Sequence, residues 1–159
     1  MTGDPRTDYA NLIPELSKYR ESGPWAIDVW LANIGRYDAS IGYASLFWPS
    51  FTEVDDCVLL GPGVPEEYGS WKVKNPDDPS AIESVLNHRH LRDLFPTAPK
   101  PSRSVLLHLG SVLREMWIAK LHRDFPDRRF VVSLHDRPPI HVDDPQISFH
   151  TERDQVIDV

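Results

Sequence analysis

The chain has 159 residues, of which 40% are hydrophobic, and a single cysteine, Cys57. This length predicts one domain with its own core, and a lone cysteine excludes an intrachain disulfide and suits a reducing, cytoplasmic compartment. The 17 basic and 24 acidic side chains give a net charge of −7, which argues against nucleic acid as the main partner. No stretch is apolar enough for a membrane span. We expect a single domain over residues 1–159, with flexible ends at 1–10 and 152–159.

The first part of the chain predicts one helix. Residues 23–35, GPWAIDVWLANIG, have a proline near the start and a glycine at the end, an asymmetry that is typical of helices. Their apolar residues lie on every side, so a helix here is expected to be deeply buried, and a strand is the alternative. Residues 37–51 fit neither pattern, and we assign them no structure.

Short strands are expected in the next segment. The stretch SFTEVDDCVLLGPG, residues 50–63, predicts two strands that meet at Asp55-Asp56. The stretch GSWKVK, residues 69–74, predicts a further strand. Cys57 lies in the apolar run of the second strand, where core packing explains it better than reactivity does.

A long helix over residues 102–125 is the clearest element of the second half. Its apolar residues recur at intervals of three and four and form one broad face, and a proline stands just outside each end. A shorter helix is expected to begin at Asp78-Pro79, where Ser80 and Glu83 have the spacing of a capping box. The long helix is expected to be the centre of the core.

Two alternating segments near the end of the chain predict a pair of antiparallel strands. They are residues 127–135, DRRFVVSLH, and residues 146–150, QISFH, joined by a proline-rich loop. The elements together predict an α+β fold, in which a small antiparallel sheet packs against the long helix with two or three further helices.

His88 and His90 raise the question of a metal site. A helix that continues through this pair would point the two rings about 200° apart, so they could not share one ion. A break at Asn87-His88 is the alternative, because the apolar residues before and after it do not form one continuous face. Even with a break, zinc needs three or four ligands, and we predict no metal and no cofactor.

The strongest clue to function is charge. Residues 86–130 carry nine basic and four acidic side chains, so the rest of the chain has a charge of −12, and the two sections either pair internally or form opposite faces. We predict a small, acidic, cytosolic, non-enzymatic binding protein that meets a basic protein partner, in the class of immunity or antitoxin-like proteins and regulatory subunits. The predicted partner-binding residues are Glu53, Asp55, Asp56, Glu66, Glu67 and Trp71. Trp71 would be the aromatic anchor, with core burial as the alternative.

A metal-dependent hydrolase is the alternative function. The loop His135–Asp143 contains two histidines and two aspartates that could converge on an ion and activate water. A register in which His135 faces Gln146 puts Val131 opposite His150, so these two histidines are about 13 Å apart and cannot share the ion. A small-molecule binder with a pocket beside the long helix is a third possibility that would leave no mark in the sequence.

Overall fold

The computed structural model describes residues 9–136 and 144–153. The chain divides into two compact units, residues 1–43 and 44–159. The predicted flexible ends lie largely outside the described residues, and a single domain over the whole chain stays a prediction. Along the chain, the elements are α1 (Tyr9–Leu12), a 3-10 helix (Pro14–Trp25), α2 (Ala26–Ile34), α3 (Tyr37–Phe47), β1 (Phe51–Val54), β2 (Cys57–Leu60), α4 (Tyr68–Lys74), α5 (Pro79–Leu86), β3 (Arg89–His90), a second 3-10 helix (Leu91–Leu94), α6 (Arg103–Asp124), β4 (Phe130–His135) and β5 (Gln146–Thr151).

The predicted α+β class is confirmed, with one long helix and small antiparallel sheets. Helix α6 begins and ends within one residue of its predicted limits. In the described residues five shorter α-helices accompany it, which is more than the two or three expected. Part of the difference is α3, which covers most of the segment that received no assignment, and part is α4, which replaces a predicted strand.

The first unit is built from helices, and its described residues bury little. Helix α2 confirms the helix predicted there, and Gly35 closes it. The expected deep burial of α2 is wrong, because none of its residues is buried and both Leu31 and Ile34 are half-exposed. Within residues 9–43 only Leu16 is buried, so this unit has too little core to enclose a helix that is apolar on every side.

Helix α6 is the centre of the core of the second unit. The Ser102 hydroxyl accepts a hydrogen bond from the backbone N–H of Val105 and caps the start of the helix. Its buried apolar residues are Leu106, Leu113, Trp117 and Leu121. Gly110 lies among them, at a point where a Cβ would stand 2.7 Å from side-chain atoms of both Leu91 and Leu134. The helix therefore comes close to its neighbours only because this position has no side chain.

The main sheet has three antiparallel strands in the order β3-β5-β4. The predicted register is confirmed, since His135 lies opposite Gln146 and Val131 lies opposite His150. Phe149 precedes His150 on β5, so its side chain points to the opposite face of the sheet, and it is fully buried in the core. Gln146, Ser148 and His150 therefore share one face of the sheet, and the core lies against the other.

Strands β1 and β2 form the predicted hairpin, which turns at Asp55 and Asp56. Asp55 has a φ of 49°, in the left-handed region that aspartate tolerates better than most residues. The strand predicted over residues 69–74 is wrong, because α4 covers this segment. Tyr68 and Trp71 are three residues apart and both pack on the core, which is the spacing of a helix face, whereas Val73 is 82% exposed.

Helix α5 begins where predicted but uses its glutamate differently. The Asp78 carboxylate accepts a 2.9 Å hydrogen bond from the Ala81 N–H and caps the helix. Glu83 does not complete a capping box with Ser80, because its side chain is completely buried on the inner side of the helix. The predicted start of α5 is therefore confirmed, and the capping role predicted for Glu83 is wrong.

The Glu83 carboxylate joins the two sheets of the second unit. It accepts hydrogen bonds from the backbone N–H of Val58 on β2, at 2.8 Å, and of Thr151 on β5, at 2.7 Å. The Thr151 hydroxyl and the Arg153 guanidinium each donate a further hydrogen bond at 2.8 Å. All the acceptor sites that a buried carboxylate needs to satisfy are thus occupied.

Asn87, one helical turn after Glu83, does the same with its amide. Its side-chain carbonyl accepts from the Leu60 N–H at 2.8 Å, and its NH2 group donates to the carbonyls of Val58, at 2.9 Å, and Phe149, at 3.2 Å. Strand β3 pairs with only two residues of β5. Beyond that short pairing, the side chains of Glu83 and Asn87 make the hydrogen bonds along the edges of β2 and β5 that a neighbouring strand would otherwise make.

Candidate functional site

The acidic end of the second unit comprises the β1–β2 turn and the start of α4, with Asp55, Asp56, Glu66, Glu67 and Trp71. Asp55 links the two elements, because its carboxylate accepts a 2.7 Å hydrogen bond from the Tyr68 hydroxyl and also binds the Lys72 ammonium. Lys72, and then Tyr68, hold the pKa of Asp55 below its usual range. Burial and the hydrogen bond to Asp55 raise the pKa of Tyr68.

Three of the carboxylates at the acidic end are exposed and unpaired. The side chains of Asp56, Glu66 and Glu67 make no hydrogen bond or ion pair with any residue that the structure describes. Glu66 and Glu67 stand directly before α4, and the Asp56 backbone carbonyl accepts a hydrogen bond from Arg153, which fixes the turn. The exposed carboxylates are therefore held by ordered backbone but have their charge free for another molecule.

Two of the predicted residues are placed differently from these. Glu53 on β1 pairs with Arg128, so the structure joins it to the basic section of the chain rather than to the acidic end. Trp71 is partly buried against the small core cluster around Cys57, and the Lys74 ammonium lies 5.1 Å from the centre of its ring. The indole thus combines core packing with an exposed edge.

The polar face of the main sheet carries a second candidate site, which we call the histidine groove. Helix α5 ends at Leu86, and the chain has become strand β3 at Arg89. The prediction of a helix that continues through His88 and His90 is therefore wrong. The alternative, a break at Asn87-His88, is confirmed. The break occurs because Asn87 is bound on both sides by strands, and it brings the two imidazole rings to 4.6 Å between centres in an edge-on contact.

A buried aspartate orients one of these histidines. The His90 Nδ1 lies 2.7 Å from a carboxylate oxygen of Asp144, whose other oxygen accepts from the Arg92 N–H at 3.2 Å. Asp144 is 5% exposed, and these two contacts give each of its buried oxygens a hydrogen-bond partner. Burial first, and then the neighbouring His90, hold the pKa of His88 below its ordinary value near 6.5.

The histidine groove itself has a volume of about 370 Å³. Its lining residues are Ser84, Val85, His88, His135, Gln146 and Ser148. The Ser84 hydroxyl donates to the Ser80 carbonyl at 2.8 Å, so its hydrogen is already used although the His150 Nδ1 is only 3.3 Å away. The groove therefore brings two imidazole rings, those of His88 and His135, to one concave surface, but its serine is not poised as a nucleophile.

The loop predicted to bind metal, His135–Asp143, lies partly outside the described residues. Of its candidate ligands, His141 and Asp143 lie outside the described residues. In the part of the chain that the structure describes, no group of three or more His, Cys, Asp or Glu side chains could hold a metal ion. Cys57 is buried at 2% exposure, and burial and the nearby Glu83 raise the pKa of its thiol, which makes it a core residue rather than a nucleophile.

The residues that sequence reasoning missed are Glu83, Asn87 and Asp144. A signal for the first two was present, because residues four apart share one helix face and these two polar residues are flanked by the apolar Ile82 and Leu86. Asp144 carries no such signal, since its partner His90 is 54 residues away in the chain.

The chain matches no family model, no curated protein and no solved structure. Among residues 9–136 and 144–153, none of the helices has the length and apolar character needed to span a bilayer.

Proposed function

We propose that this chain is a non-enzymatic binding protein that meets a basic protein partner through its acidic end, in the manner of immunity or antitoxin-like proteins and regulatory subunits. The observation that carries the proposal is the set of three exposed and unpaired carboxylates, Asp56, Glu66 and Glu67, beside the partly buried indole of Trp71. A reducing, cytoplasmic compartment, which the single buried thiol suits, is part of the same proposal.

Charge and packing at the acidic end fit such a role. Four acidic residues face two lysines, Lys72 and Lys74, so the region keeps an excess of two negative charges. Lys72 is held by Asp55, which leaves the unpaired carboxylates to act on an approaching cation. Opposite charge raises the rate of encounter between proteins, and a large aromatic side chain commonly holds the complex once it has formed.

Charge reversal at the acidic end tests the proposal. The wild-type chain and the variant D56K/E66K/E67K are each immobilised and exposed to lysate of cells that produce the protein naturally, at about 50 and about 300 mM salt. We expect a protein of basic pI that the wild type retains, that the variant loses, and that elutes as salt rises. The retained protein is then purified and its affinity for both chains is measured by calorimetry.

A matched control separates a local effect from a change in net charge. The variant D93K/E115K/D127K alters the charge by the same amount at exposed acids outside the acidic end, and it should retain the partner as the wild type does. Equal retention by the acidic-end variant, loss of the partner from both variants, or a wild type that retains no basic protein would contradict the proposal. Thermal unfolding of all three chains shows that each is folded.

A further inference from the structure

A second groove lies beside α6, away from the acidic end, and is mainly apolar. It has a volume of about 440 Å³, within the range of about 300–1,000 Å³ that is usual for small-molecule sites. Leu46, Leu60 and Leu94 supply its apolar wall, Trp117 lines it but is only 1% exposed, and Ser50 is an exposed lining residue. One charged residue, Arg89 of β3, lines it.

The Arg89 guanidinium has hydrogen-bond donors that no described residue accepts from. Its Nη1 donates to the carbonyls of Leu86, at 3.3 Å, and His88, at 2.8 Å, which uses both hydrogens on that nitrogen. Within residues 9–136 and 144–153, its Nε and Nη2 donate to nothing, and no carboxylate there pairs with the guanidinium. Nε and Nη2 form the edge of a guanidinium that binds the two oxygens of a carboxylate side by side.

The surroundings favour an anion of single charge with an apolar body. Burial lowers the pKa of Arg89, because an unpaired cation is poorly solvated there. A carboxylate would neutralise that one charge, whereas a phosphate monoester would leave about one negative charge in a groove that contains no second cation among the described lining residues. The partly exposed leucine side chains of the wall would remove an apolar chain from water, which is favourable.

We propose that this groove binds a small monocarboxylic acid with an apolar body, with the carboxylate on the free edge of Arg89 and the body against Leu46, Leu60 and Leu94. The site shares no residue with the acidic end, so it stands independently of the proposed partner binding. Binding in this groove would make the chain a small-molecule binder with a pocket beside the long helix, which is the third possibility named for this sequence.

Octanoate and 1-octanol, which share an apolar chain but differ in charge, test the proposal by titration calorimetry on the full chain. We expect one octanoate site and binding of octanol at least about tenfold weaker, since a charge-assisted bidentate contact is lost. Arg89→Gln should weaken octanoate by about tenfold or more and leave octanol unchanged. In the wild type, the Arg89 Nε–H resonance should shift with octanoate and not with octanol.

Two further variants keep the test decisive if Arg89→Gln disturbs the end of α5. Ser50→Trp fills the rim of the groove while it keeps the guanidinium, and it should weaken both ligands together. Lys100→Gln removes an exposed charge outside the groove and should change neither. Equal affinity for octanoate and octanol, no saturable binding, an equal loss with Lys100→Gln, or tighter binding of octyl phosphate would overturn the proposal.

Discussion

Two groups of carboxylates in this protein differ in their surroundings, since one is buried and the other is exposed to solvent. Glu83 is completely buried, accepts four hydrogen bonds and holds two sheets together. Glu66 and Glu67 are exposed, and their side chains bind nothing in the described residues. All three are glutamates next to or inside a short helix, so residue type does not distinguish a structural acid from one that is available to a partner. What distinguishes them is whether strands from distant parts of the chain pack against the carboxylate and donate hydrogen bonds to it.

Replacement of Glu83 by glutamine has the largest expected effect. Glutamine keeps the shape but removes the charge and turns one acceptor into a donor. In either orientation that donor faces two groups that now donate to Glu83, either the Thr151 N–H and the Arg153 guanidinium or the Val58 N–H and the Thr151 hydroxyl. We expect a loss of about 3–5 kcal/mol in the free energy of unfolding, measured by urea denaturation. Glu67→Gln is the matched control, and a similar loss in both variants would remove the distinction between the two groups.

Removal of the Asn87 amide comes next. Asn87→Ala leaves one N–H and two carbonyls of β2 and β5 without their partner, and we expect a loss of about 1–3 kcal/mol in the same measurement. Asn33→Ala serves as control, because the Asn33 amide donates to the Val29 carbonyl at the surface of α2. A loss at Asn33 as large as that at Asn87 would show that burial is not what matters.

The pH dependence of stability tests the histidine groove, with a smaller effect. The pKa of His88 is lower in the folded chain than its ordinary value near 6.5, so the unfolded chain takes up this proton first as the pH falls. The contribution of His88 to stability is therefore present above about pH 6.5 and is lost below it.

Replacement of His88 by glutamine should make that loss shallower. Urea unfolding at pH 7.5 and pH 5.5 measures the difference, and His122→Gln, at an exposed position of α6, should leave the wild-type difference unchanged. An identical pH dependence in the wild type and His88→Gln would mean that the groove does not favour the neutral imidazole.

The smallest expected effect is at the acidic end. The double variant E66Q/E67Q should change the free energy of unfolding by no more than about 0.5 kcal/mol, because these side chains are exposed and unpaired. Their removal should instead weaken partner binding, in keeping with the proposed function. A stability loss above 1 kcal/mol, on the order of that expected from Asn87→Ala, would assign these acids a structural role.

The sequence by itself determined the local elements of this protein. The repeat of three and four residues between the apolar positions, with a proline at each side, placed α6 within one residue of its ends. The alternation of β4 and β5 predicted two antiparallel strands, and the register considered for them, with His135 opposite Gln146, is the one observed. Where the local pattern is ambiguous the prediction is wrong, as in the short segment of α4, for which a strand is predicted and a helix is observed.

Only the tertiary structure decided which polar residues are structural and which are available. The bonds of Glu83 reach residues 25 and 68 positions away, and Asp144 meets His90 across 54 positions. Arg89 likewise lies in an apolar groove whose walls come from α3, β2 and α6. Periodicity records which side chains share a face of one element. It does not record which distant strand or helix will lie against that face, and the free energy of a buried charge depends on that neighbour.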